Sequence, residues 1–181
     1  MAVLKSLKQD LSHKVFSQNE GIDYKETFAL VARYTSIRTI LTLATKMKWK
    51  LHQMDVKTTF LNGVIEEEVY IEQPPGFETH DKETHVCILK KALYGLKQSP
   101  RAWAGRIDGF LMNLGFNKSK FDYNLYYKVE DDGIMILLLY VDDLFLTGKE
   151  MLISECKKKL ATEFEMKDLG TMHYFLGLEV W

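Results

Sequence analysis

Proline is scarce in this chain and cysteine scarcer, three and two residues among 181. The cysteines, Cys87 and Cys156, stand far apart with no CxxC or histidine-rich context. That excludes a disulfide framework and a structural zinc site, and it points to a reducing compartment. Long apolar runs are also missing. The longest, around Ile134 to Val141, is far too short to cross a bilayer. The opening MAVLKSLKQDLSHK is too polar for a signal peptide. The expectation is therefore no membrane and a cytoplasmic location, with the nucleus as the alternative. No charge is in excess either: 24 Lys and Arg face 25 Asp and Glu, for a formal net charge of −1. General basicity is thus excluded as a source of affinity, although a local basic groove is not. No internal repeat or low-complexity linker interrupts the text. What is present is 46% hydrophobic residues, enough for an ordinary core, in a length that suits one domain or one domain with a small attachment.

In TSIRTILTLATKMKWK, apolar residues at Ile37, Ile40, Leu41, Ala44 and Met47 follow helical spacing, with Thr35 or Ser36 as N-cap. WKLHQMDV alternates from Trp49 to Met54 and predicts a strand ending at Asp55. EVYIEQ and HVCILKK read as further strands, the first stopped by Pro74, Pro75 and Gly76. SPRAWAGRIDGFLMNLGF predicts a helix with Ser99 as N-cap, Pro100 at its first position and Gly115 beyond its end. NLYYKV and GIMILLLYV are strands joined by a turn at Asp131, Asp132 and Gly133. DLFLTG is the next strand, EMLISECKKKLATEFE an amphipathic helix, and MHYFLGLEV a closing strand. From Trp49 this order resembles a split β-α-β-β-α-β arrangement with an insertion after the first strand, an α+β fold. In it Asp142 and Asp143 lie at the tip of the central hairpin, and the strand ending in Asp55 lies beside that hairpin.

Two adjacent aspartates inside IMILLLYVDDLFLTG are costly unless they are paired, solvated or bound to a cation. Asp-Asp at a hairpin tip is compatible with simple turn chemistry, and a strand-terminal Asp such as Asp55 with a cap or surface charge. Three carboxylates on adjacent strand ends are also a site for hard divalent cations such as Mg²⁺. Two such ions can clamp the attacking and leaving oxygens of a phosphoryl displacement.

Four blocks occur in order: LHQMDVKTTFLNGVIEEEVYIEQPPGFE, CILKKALYGLKQSPRAWAGRID, LLLYVDDLFLTG and EFEMKDLGTMHYFLGLEV. Together they resemble the reverse transcriptase domain of Ty1/copia-type retrotransposon polyproteins, from about Lys14 to Trp181. The resemblance implies a right-hand polymerase: residues 1–48 as partial fingers, and residues 49–181 as a ferredoxin-like βαββαβ palm including the primer-grip region. It implies an RNA-directed DNA polymerase with two Mg²⁺ or Mn²⁺ ions, an RNA template, a DNA primer and deoxynucleoside triphosphates. Asp55, Asp142 and Asp143 match the catalytic carboxylates, with the Val56 carbonyl as a further metal ligand. Phe60 matches the aromatic under the sugar, with Thr59 beside it, and Tyr94 and Gln98 fall in the segment over the nucleotide. Tyr140, Lys97, Arg101, Leu176 and Gly177 match nucleic-acid contacts, the last two in a primer-grip hairpin. Lys167 matches a candidate general acid for the pyrophosphate leaving group. Packing explains Phe60 and the apolar hairpin equally, and a solvated helix face explains the basic residues.

The text also departs from the family pattern. Asp10 stands where the family has Arg in the triphosphate-gripping fingers, Thr59 where it has a small Ala, Leu30 where it has Pro, and Ala104 where it has an aromatic. The expectation is of truncated fingers, an absent thumb, and no ribonuclease H, integrase or protease segment. Three functions compete: a polymerase core, an impaired remnant that binds nucleic acid or a partner without turnover, and a small ferredoxin-like regulatory domain.

Overall fold

The computed structural model describes residues 18, 21, 32–74, 76–78, 85–131, 133–175 and 178–179. It is a mixed α+β structure that divides into two compact units. One combines Met1–Ala29 with Phe60–Ile107, the other Leu30–Thr59 with Asp108–Trp181.

The second unit is built on six antiparallel strands in the order β4-β5-β6-β7-β1-β8. They are β1 (Leu51–Val56), β4 (Asn117–Lys118), β5 (Leu125–Glu130), β6 (Gly133–Tyr140), β7 (Asp143–Gly148) and β8 (Met166–Thr171). The apolar run on β6 and β7 lies at the centre, which is where a strand buried on both faces must go. One face is covered by helix α1 (Tyr34–Met47), whose Ile37, Ile40 and Ala44 join Leu51, Ile136, Leu138 and Phe145 in a buried cluster. Residues of opposite parity on the same strands, Met54, Leu137, Leu139, Leu144 and Leu146, line the other face, as the two-residue period of a strand requires. There helix α3 (Glu150–Glu163) packs on β6, β7 and β8 with Leu152, Ile153, Cys156 and Leu160 buried. Burial pushes the Cys156 thiol up to about 12, so this sulfur is a core atom rather than a nucleophile.

Helix α2 (Ser99–Asn113) runs from one unit into the other. On its inner face Trp103, Ile107 and Leu111 are fully buried; Phe110 is half-buried, its ring edge-on to Phe164 at 5.2 Å. Its end is a Schellman motif. Gly115 N–H donates to the Met112 carbonyl at 3.0 Å and Phe116 N–H to the Leu111 carbonyl at 3.1 Å, with Gly115 at φ +83°.

The first unit contains two short strands, β2 (Tyr70–Ile71) and β3 (Cys87–Ile88), paired with each other. Ile65, Ala92 and Leu96 form its buried cluster, with Phe60, Val69, Leu89, Leu93 and Ala102 packed around them. A last hairpin joins β9 (Tyr174–Phe175) to β10 (Leu178–Glu179).

Several local expectations are corrected. Helix α1 begins earlier than an N-cap at Thr35 or Ser36 allows: its N-cap is Arg33, two or three residues upstream, with no capping side chain from its own segment. The anchor comes from a distance: Arg33 N–H donates to Asp122 Oδ2 at 2.9 Å. Met47 is exposed, half its surface open to solvent, because the chain turns out of the helix at Lys48, which has a left-handed φ of 55°. The Ser99 hydroxyl does not cap α2 but donates backwards to the Leu93 carbonyl. The sixth strand of the sheet is MKDLGT, not MHYFLGLEV. As an edge strand it is mostly exposed and carries no apolar alternation to announce it.

Candidate active site

Strand pairing sets the geometry of the acidic cluster. Tyr140 pairs with Asp143, Asp143 with Asp55, and Asp55 with Lys167, so one row crosses β6, β7, β1 and β8. Directly opposed residues of antiparallel strands share a face and hold their Cβ atoms about 4.5–5.5 Å apart. Asp55 and Asp143 are thus like charges set side by side. They lie on the face that α1 covers farther along the strands, and Tyr140 packs at the border of that apolar cluster. Lys167 is exposed beside Asp55.

Asp142 lies in the two-residue turn between β6 and β7, next to Val141. The Val56 N–H donates to the Asp142 carbonyl at 2.9 Å, which ties the end of β1 to the turn. Val141 has φ +53° and Thr58, just after β1, φ +50°. Left-handed backbone is a true outlier for a β-branched residue and costs on the order of 1–3 kcal/mol. Both outliers flank the aspartates, and such strain is characteristic of functional sites. Val141 owes its interest to its backbone.

Neutral donors attend two of the carboxylates. Gln53 Nε2 donates to Asp143 Oδ1 at 2.9 Å. The Thr59 hydroxyl, beside Asp142, donates to the Val56 carbonyl at 2.8 Å. Even so, burial holds the Asp142 and Asp143 carboxyls above the usual carboxylate range. Thr59 and Gln53 offset part of this, while the negative charge of Asp55 adds to it. Asp142 Oδ1 is buried without a hydrogen-bond partner among the described residues.

The donor set, three carboxylates and a backbone carbonyl, is the hard-oxygen chemistry that Mg²⁺ or Mn²⁺ takes, and an orphaned buried carboxylate oxygen is one that a cation would satisfy. As they stand, however, the carboxylates are not drawn together: among the described residues no group of three or more His, Cys, Asp or Glu side chains is placed to hold an ion.

Phe60, Tyr94, Lys97, Gln98 and Arg101 belong to the first unit. Phe60 and Tyr94 form an edge-on aromatic pair with centroids 4.7 Å apart. Gln98 is buried, its Oε1 accepting from Gln18 Nε2 at 3.1 Å and its Nε2 left without a partner among the described residues. Lys97 is exposed, its N–H donating to Gln18 Oε1 at 3.0 Å, and Arg101 is exposed. Leu176 and Gly177 lie outside the described residues, as do Asp10 and Leu30. Gln53 was not foreseen: a polar residue on an alternating strand carries no motif. Its one sequence signal is its place two residues before Asp55, on the same face of the strand. No helix among the described residues is long and apolar enough to cross a membrane.

The sequence matches the family described as reverse transcriptase (RNA-dependent DNA polymerase) over residues 3–181. It is 46% identical over 175 residues to the Retrovirus-related Pol polyprotein from transposon TNT 1-94 of Nicotiana tabacum, covering 96% of this chain and 13% of that one. Against the Retrovirus-related Pol polyprotein from transposon RE1 of Arabidopsis thaliana it is 41% identical over 177 residues, 97% of this chain and 12% of the relative. The Transposon Ty1-BR Gag-Pol polyprotein of Saccharomyces cerevisiae is 28% identical over 187 residues, with 96% and 10% covered. The chain therefore spans only 10% to 13% of the length of these relatives. No solved structure matches it. The chain belongs to the reverse transcriptase (RNA-dependent DNA polymerase) family, in the form found in copia-type retrotransposon Pol polyproteins.

Proposed function

We propose that the chain is the catalytic region of an RNA-directed DNA polymerase, with Asp55, Asp142 and Asp143 as the carboxylates of a two-metal nucleotidyl transfer. The supporting observation is the registered opposition of Asp55 and Asp143, with Asp142 Oδ1 buried and unpartnered in the adjoining turn. Like charges directly opposed destabilise a sheet, and such local conflicts concentrate at functional sites. In this reading the sheet is a palm: β8-β1-β7-β6 is the strand order of a split βαββαβ unit, extended by β5 and β4.

Asp55, Asp142, Asp143 and the Val56 carbonyl would hold Mg²⁺ or Mn²⁺. Bound there, the ions supply charge neutralisation and Lewis acidity for an in-line displacement at the α-phosphate of a deoxynucleoside triphosphate. The residues of the chain do the rest. Gln53 orients Asp143, and Lys167, in register with Asp55, is an exposed ammonium suited to protonate or neutralise the pyrophosphate leaving group. From family membership rather than from geometry, Phe60, Thr59, Tyr94 and Gln98 are assigned to the nucleotide. Lys97, Arg101, Tyr140, Leu176 and Gly177 are assigned on the same ground to the RNA template and DNA primer.

A second reading, a domain that binds nucleic acid without turnover, is favoured by one observation: the carboxylates are not gathered for an ion. Primer extension on a primed RNA with Mg²⁺ or Mn²⁺ separates the two. Incorporation of deoxynucleotides that is lost in Asp142→Asn supports the polymerase. Retention of the primed RNA in a binding assay, with no extension in either protein, supports the second reading.

A further inference from the structure

We infer that Lys157 and Asp168 are positioning residues: they lock a one-residue bulge in β8 that sets Lys167, rather than Asp168, opposite Asp55. The catalytic consequence deepens the polymerase reading and rests on it; the register itself stands on strand pairing alone.

Strand β8 is pinned to β1 in two registers. At its far end Met172 N–H donates to the Leu51 carbonyl at 2.8 Å, and both side chains belong to the apolar cluster under α1. Thr171 then pairs with His52 and Gly170 with Gln53. A regular ladder continued from there would pair Leu169 with Met54 and Asp168 with Asp55. Asp55 already has Asp143 opposed on its other side, so that ladder would set three carboxylates in a row across the sheet. Instead Asp168 pairs with Met54 and Lys167 with Asp55, and Leu169 is left over. One extra residue on one strand is a β-bulge, and bulges beside active sites re-aim side chains in this way. Met172 and Asp168 have the same parity along the strand and yet face opposite sides of the sheet. An unbroken strand with its period of two forbids that.

The lock lies on the α3 side. Lys157 of α3 donates from Nζ to Asp168 Oδ1 at 2.8 Å and to Oδ2 at 3.0 Å. The same ammonium donates to His52 Nδ1 at 3.1 Å, so it is fixed to β1 as well as to β8. The Lys157 side chain is only 14% exposed, which sets this pair apart from loose surface ion pairs. Asp168 Oδ1 also accepts from Gly170 N–H at 2.9 Å, across the bulged residue. Gly170 takes the φ of +77° that this closure needs, which glycine adopts freely. An ammonium that claims residue 168 for the α3 face leaves residue 167 for the other face, beside Asp55.

Backbone cross-strand nuclear Overhauser contacts of residue 55 in the full chain report the register. The unsubstituted chain is expected to show Asp55 against Lys167. Lys157→Glu sets a carboxylate against Asp168, and the contact between 55 and 167 should give way to one between 55 and 168. Deletion of Leu169 removes the extra residue, so a straight ladder then puts Lys167 opposite Asp55 unaided. In that background Lys157→Glu should leave the 55–167 contact intact, a rescue that a merely stabilising ion pair does not predict. A lower Tm for Lys157→Glu with the 55–167 contact at full intensity overturns the inference, as does a 55–168 contact in the unsubstituted chain. If Lys157→Glu does not fold, Lys157→Met, which keeps the stem and drops the charge, is read by the same two contacts. Primer extension on a primed RNA reads the catalytic consequence. In Lys157→Glu, kcat should fall by about 10-fold or more with KM for the deoxynucleotide little changed, and deletion of Leu169 should restore it. Extension that is unaffected when the register slips overturns the positioning role. Absence of extension by the unsubstituted chain instead sinks the polymerase reading and leaves the register result standing.

Discussion

The two ends of the β6–β7 hairpin are built on opposite principles. At the open end, Gly148 pairs with Met135, Lys149 N–H donates to the Ile134 carbonyl at 3.0 Å, and the Thr147 hydroxyl donates to the Lys50 carbonyl at 2.9 Å. Each of these groups has a partner. At the tip, a valine takes a left-handed backbone, two aspartates oppose each other across strands, and a carboxylate oxygen is buried alone. Between the ends lie Leu137, Leu139, Leu144 and Leu146, essentially without exposed surface. Each such leucine truncated to alanine would cost about 2–5 kcal/mol, more than the strain of one left-handed valine. The apolar middle thus lets one hairpin carry an unfavourable tip, and a stable end and a functional end follow from a single stretch of sequence.

The sharpest break in that comparison is Gly148→Ala. A Cβ there would lie 2.2 Å from the Ile134 carbonyl oxygen and 2.9 Å from Met135 Cα, at φ +126°. Backbone atoms on both sides cannot yield as a side-chain end would. Overpacking and strain together predict a loss of about 3–6 kcal/mol, read as a fall in the denaturant midpoint. A loss below about 1 kcal/mol would mean that the open end is not the rigid end.

How much of this contrast was legible follows from where each signal lives. The apolar run from Ile134 marked β6 and β7, since only a buried strand uses such a stretch, and Asp55, Asp142 and Asp143 stood out as charges at the ends of apolar strands. Strand β8 left no such trace, because an edge strand among solvent needs no apolar period. The anchor of α1 was illegible because Asp122 reaches Arg33 across 89 positions. The left-handed φ at Val141 and Thr58 runs against the β preference of both residue types, so tertiary structure imposed it. Thr59 stands beside the sugar-pocket position, and what its letter does not say is that the hydroxyl turns inward to the Val56 carbonyl.

At the tip the same kind of perturbation should have the opposite sign. Val141→Gly removes the side chain that disfavours a left-handed backbone, releasing about 1–3 kcal/mol, while glycine's extra freedom in the unfolded chain takes back roughly 0.5–1 kcal/mol. The net expectation is a gain of about 1 kcal/mol in urea unfolding, where Gly148→Ala loses several. A loss would show that Val141 packs more than it strains. The pair of measurements tests the contrast directly, since both sites have positive φ and differ in what surrounds them.

The smallest effect is electrostatic, and its sign is the informative part. Burial, with Asp55 adding to it, raises the Asp142 and Asp143 carboxyls, so the folded chain holds protons more tightly than the unfolded one. The proton-linkage slope is then negative. The stability contribution of these groups is highest below the ordinary carboxylate value of 3.8 and is lost as pH rises from there through the raised native values. Above that window both aspartates are ionised against Asp55 and against burial. Asp143→Asn should therefore unfold later than the unsubstituted metal-free chain at neutral pH. Relief of one opposed pair is worth up to about 1 kcal/mol, or roughly 2–4 °C in Tm for a chain of this size. The difference should vanish at acid pH. Mg²⁺ or Mn²⁺ should raise the Tm of the unsubstituted chain by mass action on the folded state and raise that of Asp143→Asn less, since the variant has lost both a ligand and a repulsion. Gln53→Leu, which removes the donor to Asp143, should move the other way and deepen the neutral-pH loss. If Asp143→Asn is instead the less stable protein at neutral pH without metal, the Gln53 hydrogen bond outweighs the repulsion, and the tip is held together by the contacts that here only moderate it.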